Sequence, residues 1–273
     1  MKPKILIVGN GKWAQKLEAI LKCEPEKYET ESIGARELLS NFNEFSGAEK
    51  YDLIWIATTT SNQIKIVESE WRVNQKMILE KPLIASLEHF KALSKALDNG
   101  NITLYASEPW TYSSIWSKFS EIVVDMSPEK IDVQRSGPCD REYLTAPQDW
   151  LPHDLFLIVD LLDRFNCELK MQPTAKWSDD FQKVHLEFQF TNLSKLNLTS
   201  KKQLTRNAFW EFKTNSGTQI RLDFEKKAIF KDGNLTYFME NENPIVTFLE
   251  SILNRYNPGL NLKTLNLMRT LTW

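Results

Sequence analysis

A run of four apolar residues, Ile5-Leu6-Ile7-Val8, leads straight into Gly9-Asn10-Gly11-Lys12-Trp13-Ala14, and an amphipathic stretch follows from Ala14 to Lys22. No other segment constrains the fold as tightly. A short apolar run, a turn built on two glycines and a helical period read as strand, loop and helix, the opening of a β-α-β unit. The chain repeats that grammar. Leu53-Ile54-Trp55-Ile56-Ala57 is apolar throughout, as a parallel strand covered on both faces should be, and Tyr28 to Ile33, Met77-Ile78-Leu79 and Ile102-Thr103-Leu104-Tyr105 supply further strands. Ser86 suits a helix N-cap, Leu87, Phe90, Leu93 and Leu97 recur at helical spacing, and Gly100 stands where that helix should stop. Strands alternating with helices predict right-handed crossovers and a doubly wound parallel sheet.

After about residue 125 the pattern changes. Val184, Leu186, Phe188 and Phe190 alternate with His185, Glu187 and Gln189, and similar alternation runs through Phe209 to Lys213 and Gln219 to Phe224. Asn215-Ser216-Gly217 and Asp232-Gly233 supply turn chemistry, so antiparallel strands joined as a meander are expected. Pro244 to Leu253 has helical length and period, and Leu260 to Leu271 reads as another short helix. The expected architecture is an α/β domain over 1–124 followed by an α+β domain over 125–273 built on an open, mostly antiparallel sheet.

Composition narrows the function classes. With 42% apolar and 26% charged residues among 273, the chain can bury a core and is far from the disordered corner. Lysine and arginine total 34 against 36 acidic residues, so no bulk positive field exists to gather nucleic acid or anionic lipid. Cys23, Cys139 and Cys167 form no CxxC pair, and with three histidines in the chain neither a metal cluster nor a disulfide framework is expected. The N-terminal apolar run is too short for a signal-peptide core and no 18-residue apolar run follows, which predicts a cytoplasmic protein.

The glycine turn matches G-x-G-x-x-A in the context that dinucleotide binding demands, after a strand and opening a helix. Gly9 can make the tight turn, Gly11 can admit the pyrophosphate, Lys12 and Trp13 open the helix, and Ala14 allows close packing, although the same turn can simply join a strand to a helix. A Walker A loop fails, because Lys12 precedes Trp13 rather than Ser or Thr. At the end of the second strand Ser32-Ile33-Gly34-Ala35-Arg36 offers no carboxylate for a ribose 2′-hydroxyl. Arg36 and Ser32 there suit a 2′-phosphate, which favours NADP over NAD unless Arg36 merely begins the next helix.

Three further segments carry a resemblance. Ile56-Ala57-Thr58-Thr59-Thr60-Ser61-Asn62-Gln63, Glu80-Lys81-Pro82 and Asp149-Trp150-Leu151-Pro152-His153-Asp154 resemble, in order and spacing, the A-T-P-x-x-x-H, E-K-P and D-x-x-x-H segments of the glucose-fructose oxidoreductase, inositol dehydrogenase and MocA family of nicotinamide-dependent oxidoreductases. The resemblance implies a Rossmann domain whose loops at Ala57, Thr58, Thr59, Gln63 and Glu80 meet the cofactor. It also implies Lys81 beside the nicotinamide and substrate, and Asp149 and His153 lining the same pocket as catalytic groups. Moving a hydride leaves an oxygen or nitrogen that must gain or lose a proton, work suited to a lysine or an imidazole. Pro152 suits a first helical position, which would put His153 in the first turn of its helix, where its charged form is disfavoured. His89 and His185 read as solvent-facing.

The chain also departs from the family pattern. Thr59 replaces a proline, Gln63 a histidine, and Phe156 stands where many members carry an aspartate, while Trp110 and Tyr112 would give the substrate pocket an aromatic wall. The expected activity is NADP-dependent hydride transfer to or from a small hydroxyl or carbonyl compound, a sugar or sugar derivative being the family's commonest class. An imine or conjugated-heterocycle reductase and a non-catalytic NADP-sensing protein are the alternatives. The open sheet is expected to make a homo-oligomer contact.

Overall fold

The structure, a computed structural model, describes residues 2–45, 50–71, 73–126, 128–138, 145–164, 168–191, 195–214, 216–254, 259–260, 264–267 and 269. Cys139, Cys167, Asn215 and much of the helix expected over Leu260 to Leu271 lie outside the described residues. The chain divides into two compact units, residues 1–107 with 249–273, and residues 108–248.

In the first unit β1 (Lys4–Val8), β2 (Glu29–Ile33), β3 (Leu53–Ile56), β4 (Gln75–Leu79) and β5 (Ile102–Ala106) form a parallel sheet in the order β2-β1-β3-β4-β5. The intervening segments hold α1 (Lys12–Lys22), α2 (Ala35–Ser40), α3 (Phe42–Phe45), α4 (Thr60–Val67) and α5 (Leu87–Asn99). Ile5 to Val8, Leu53 to Ile56 and Met77 to Leu79 are wholly shielded from solvent, which is why these strands are apolar without alternation. The expected ends of α5 are met: Ser86 Oγ accepts from the His89 amide, and Gly100 closes the helix at φ +65°. His89 itself is fully buried rather than solvent-facing, because its place on α5 lies on the same stripe as Ala92, Leu93 and Ala96.

The second unit carries a 3-10 turn at Pro109–Tyr112, α6 (Ser114–Met126), β6 (Lys130–Gly137) and α7 (Ala146–Arg164). Strands β7 (Thr174–Trp177), β8 (Lys183–Phe188), β9 (Lys195–Lys202), β10 (Asn207–Lys213), β11 (Gln219–Asp223), β12 (Ala228–Lys231) and β13 (Asn234–Phe238) follow, and α8 (Pro244–Leu253) runs into the first unit's C-terminal segment. Its sheet runs β13-β12-β11-β10-β6-β9-β8-β7, parallel at β6–β9 and antiparallel at the other pairs. The meander expectation holds from β10 to β13, with Asp232 and Gly233 both at positive φ in the β12–β13 turn. One face packs on α7, which buries Leu151, Leu155, Ile158 and Leu162, while Asp132, Glu187, Glu211 and Arg221 share the other.

This division differs from a single cut after residue 124 in two places. Trp116 and Phe119 of α6 pack edge-on against Trp210 of β10, with centroids 4.9 and 6.4 Å apart, so α6 belongs with the second sheet. Burying each of these aromatic side chains stabilises by about 2–3 kcal/mol. The C-terminal segment returns to the first unit, where Lys76 Nζ donates to the Ile252 carbonyl at 2.8 Å and the Leu260 amide to the Leu104 carbonyl at 2.7 Å. Helix α7 also begins at Ala146, six residues before Pro152. Pro152 is therefore inside the helix, and His153 lies in its interior rather than its first turn.

Candidate active site

The strand order places the first unit's topological switch between β1 and β3, and ligands of such sheets bind beyond the carboxyl ends of the strands that flank it. The loops after those two strands are Gly9 to Ala14 and Ala57 to Thr59. Gly9 sits at φ +149°, and a Cβ there would lie 2.2 Å from the Ala57 carbonyl oxygen, so only glycine lets the two loops meet. Gly11 is different. Its φ of −77° suits any residue, and a Cβ would meet nothing within 4 Å, so its bareness serves neither backbone nor packing. It leaves open space over the start of α1, whose first turn has neither a capping side chain nor an acidic residue. Free amides and positive helix potential beneath an open approach fit a dinucleotide pyrophosphate. Ala14 is buried against Gly9, Lys12 is exposed and Trp13 half-buried.

Ser32 and Arg36 stand at the carboxyl end of β2 and the start of α2, both exposed, and Arg36 makes no ion pair among the described residues. Ala57 and Thr58 are half-buried, and Thr59 is the exposed N-cap of α4. Gln63 is fully buried, its amide nitrogen donating to the Thr58 carbonyl at 3.2 Å and the Glu80 carbonyl at 2.9 Å. It ties the loops after β3 and β4 together. Glu80 turns inward too: Trp55 Nε1 and Ser107 Oγ donate to its Oε1 at 3.0 and 2.6 Å. Burial pushes its carboxyl above the ordinary 4.5, against the pull of Ser107, Trp13, Trp55 and Lys81. Glu80 thus shapes the turn from which Lys81, half-buried, departs before the cis Lys81–Pro82 bond.

In the second unit Asp149 and His153 lie four residues apart on α7 and so share one face of the helix. Asp149 is buried, and His153 Nδ1 lies 3.1 Å from Glu108 Oε2. The next residue, Asp154, is completely buried and grips Arg135 of β6 in two hydrogen bonds, from Nε at 2.8 Å and from the terminal guanidinium nitrogen at 2.7 Å. Trp210 Nε1 donates to the same carboxylate at 3.0 Å. Burial opposes the Arg135 charge, but Asp154, helped by Glu108 and Glu225, outweighs it and holds the guanidinium above its ordinary value. Trp110 and Tyr112 do not form one wall. Trp110 packs edge-on against Phe224, over whose ring Arg135 also lies, whereas Tyr112 packs on Phe248 and lines an open cleft of about 490 Å³ with Ser117, Lys118 and Tyr237.

The motifs pass over Glu108, Arg135 and Asp154. Asp154 adjoins the D-x-x-x-H segment and its burial follows from helical spacing, but Glu108 and Arg135 meet their partners 45 and 19 residues away, which no local pattern encodes. Among the described residues no group of three or more His, Cys, Asp or Glu could hold a metal ion, and no helix is long and apolar enough to cross a membrane.

The fold is shared with solved oxidoreductases. A protein of Magnetospirillum magnetotacticum MS-1 classed as an oxidoreductase is similar with a TM-score of 0.76 at 13% identity, over 99% of this chain and 98% of that one. UDP-N-acetylglucosamine 3-dehydrogenase GnnA from Acidithiobacillus ferrooxidans matches with a TM-score of 0.70 at 13% identity, over 99% and 96%. The dehydrogenase MviM from Clostridium difficile matches with a TM-score of 0.70 at 16% identity, over 98% and 97%. No family model matches the chain, and no curated protein matches it.

Proposed function

We propose that the chain is an NADP-dependent oxidoreductase that moves a hydride between the nicotinamide and a small hydroxyl or carbonyl compound, a sugar or sugar derivative. The observation that carries the reading is the switch-point cradle, in which Gly9 is forced by the Ala57 carbonyl while Gly11 leaves the uncapped start of α1 open. The likeness in fold to a UDP-N-acetylglucosamine 3-dehydrogenase supports the sugar-like substrate class. The exposed, unpaired Cys23 suits a reducing cytoplasm.

When bound, the cofactor would supply or accept the hydride. The amides of Lys12, Trp13 and Ala14 would hold its pyrophosphate, and Arg36 with Ser32 would take the 2′-phosphate. Lys81 would steady negative charge on the reacting oxygen, and His153 would trade the proton, with Asp149 on the same helical face. The open face of the second sheet, where Phe209, Phe230 and Arg221 lie among polar neighbours, would form a contact between copies of the chain.

Two variants test the reading against NADPH titrations and a pooled screen of carbonyl, imine and sugar compounds. Arg36→Ala should weaken NADPH about tenfold and leave NADH nearly unchanged. Lys81→Met should lower single-turnover oxidation of bound NADPH about 10²-fold or more while the cofactor still binds. Equal losses for both cofactors would remove Arg36 from the phosphate, an unchanged rate in Lys81→Met would remove that lysine from the chemistry, and NADPH that binds but is oxidised by no compound of the screen would favour a sensor over an enzyme.

A further inference from the structure

Glu108 belongs to none of the motifs, yet its carboxylate is the group that meets His153. It is 4% exposed and directly precedes the 3-10 turn, whose Thr111 amide donates to the Glu108 carbonyl at 3.3 Å. That turn packs on α7, so two regular elements fix the separation between the carboxylate and the imidazole at 3.1 Å. An ionised Glu108 can only accept, and in that state the proton between the two groups belongs to Nδ1. Arg135 lies in the electrostatic field of Glu108 and is itself locked by Asp154, whose carboxylate Trp210 also bonds.

We propose that Glu108 is a positioning residue for His153: its buried carboxylate accepts the Nδ1–H, fixes the neutral imidazole in that tautomer, and leaves Nε2 as the atom that exchanges a proton. The proton exchange rests on the oxidoreductase reading; the tautomer does not. In the reducing direction the Nε2–H of the imidazolium passes its proton to the substrate oxygen while the reduced cofactor supplies the hydride to the adjoining carbon. A neutral ring, protonated on Nδ1, remains. In the oxidising direction the same Nε2 lone pair takes the hydroxyl proton. Without the carboxylate, an imidazole is free to place its hydrogen on Nε2, where it could not act as a base.

The chain has three histidines, so nitrogen-15 labelling of the imidazoles with long-range proton–nitrogen correlation can resolve each ring, His153→Asn identifying the relevant one. Above about pH 8, where an unperturbed imidazole is neutral, His153 should show a protonated Nδ1 and an unprotonated Nε2. In Glu108→Ala the hydrogen should shift toward Nε2. With a substrate from the screen, that variant should lower kcat about 10²-fold and leave the KM for NADPH unchanged. An Nε2–H ring in the unaltered protein, or a Nδ1–H ring that survives Glu108→Ala, overturns the proposal. The first of these needs no variant to fold. Failure to bind NADPH would count against the oxidoreductase reading, whereas a wrong tautomer counts against Glu108 alone.

Discussion

Glu80 in the first unit and Asp154 in the second are each buried against a tryptophan indole, and the two are stabilised in opposite ways. In the first, Glu80 accepts from Trp55 at 3.0 Å and takes its second hydrogen bond from the neutral hydroxyl of Ser107. In the second, Asp154 accepts from Trp210 at the same 3.0 Å but is completed by the guanidinium of Arg135. With neutral donors, burial dominates and Glu80 drifts toward its protonated form. With a cation as partner, Asp154 helps to hold the Arg135 guanidinium above its ordinary value despite its burial. Removing charge should therefore be mild at one site and severe at the other.

Asp154→Asn gives the largest effect, because it strands a guanidinium whose side chain is only 6% exposed. Breaking a buried pair in this way costs about 3–5 kcal/mol, read as a lower urea midpoint. A loss under about 1 kcal/mol would show that solvent reaches Arg135 and would collapse the contrast.

His89 extends the comparison to a buried base whose ring nitrogens have no hydrogen-bond partner among the described residues, and burial lowers its pKa from 6.5 to about 4. The unfolded chain takes up the proton first as pH falls. The stability that depends on a neutral His89 is thus complete above 6.5 and is lost between 6.5 and about 4, by roughly 3 kcal/mol. His89→Phe should flatten the acid limb of a stability-against-pH curve. An unaltered limb would mean that the folded protein admits the charged ring.

Glu80→Gln should change neutral stability least, by about 1 kcal/mol, since an amide oxygen can still accept from Trp55 and Ser107. The sign of its pH dependence is opposite to that of His89. A carboxyl raised above 4.5 in the folded state contributes stability that is full below that value and lost as pH rises through the raised one. Relative to the unaltered protein, the variant should gain stability on going from about pH 5 to about pH 8 in paired urea titrations. No change over that interval would mean that Glu80 stays ionised in the folded protein across it.

These contrasts also mark what the sequence reveals and what it withholds. The parallel sheet is legible because a strand buried on both faces must be apolar at every position, as Leu53 to Ile56 are. The glycine turn is legible because no other residue fits at Gly9. Helix α7 is misread at its start, since proline is tolerated at a first helical position and Pro152 offers that signal six residues late. His89 is misread because a buried imidazole and an exposed one look alike in a helical stripe. The Glu108–His153 and Arg135–Asp154 contacts need the fold itself, for neither partner carries a local signal of the other. The insertion of β6 between β9 and β10 likewise follows from long-range pairing rather than from any turn residue.

The first unit is not contiguous in the chain, and this bears on how it can be made. On a ribosome, residues 1–107 emerge first but lack Ile252 and Leu260, whose backbone groups bond Lys76 and Leu104. The unit spanning 108–248 is threaded between, so it is fully translated before its predecessor is complete. The earlier segment must wait with a parallel sheet missing part of its cover, a slow-forming, aggregation-exposed topology. A gene fragment ending near residue 124 would extend that waiting state indefinitely, whereas one that joins residues 249–273 to residue 107 through a short linker restores the missing contacts.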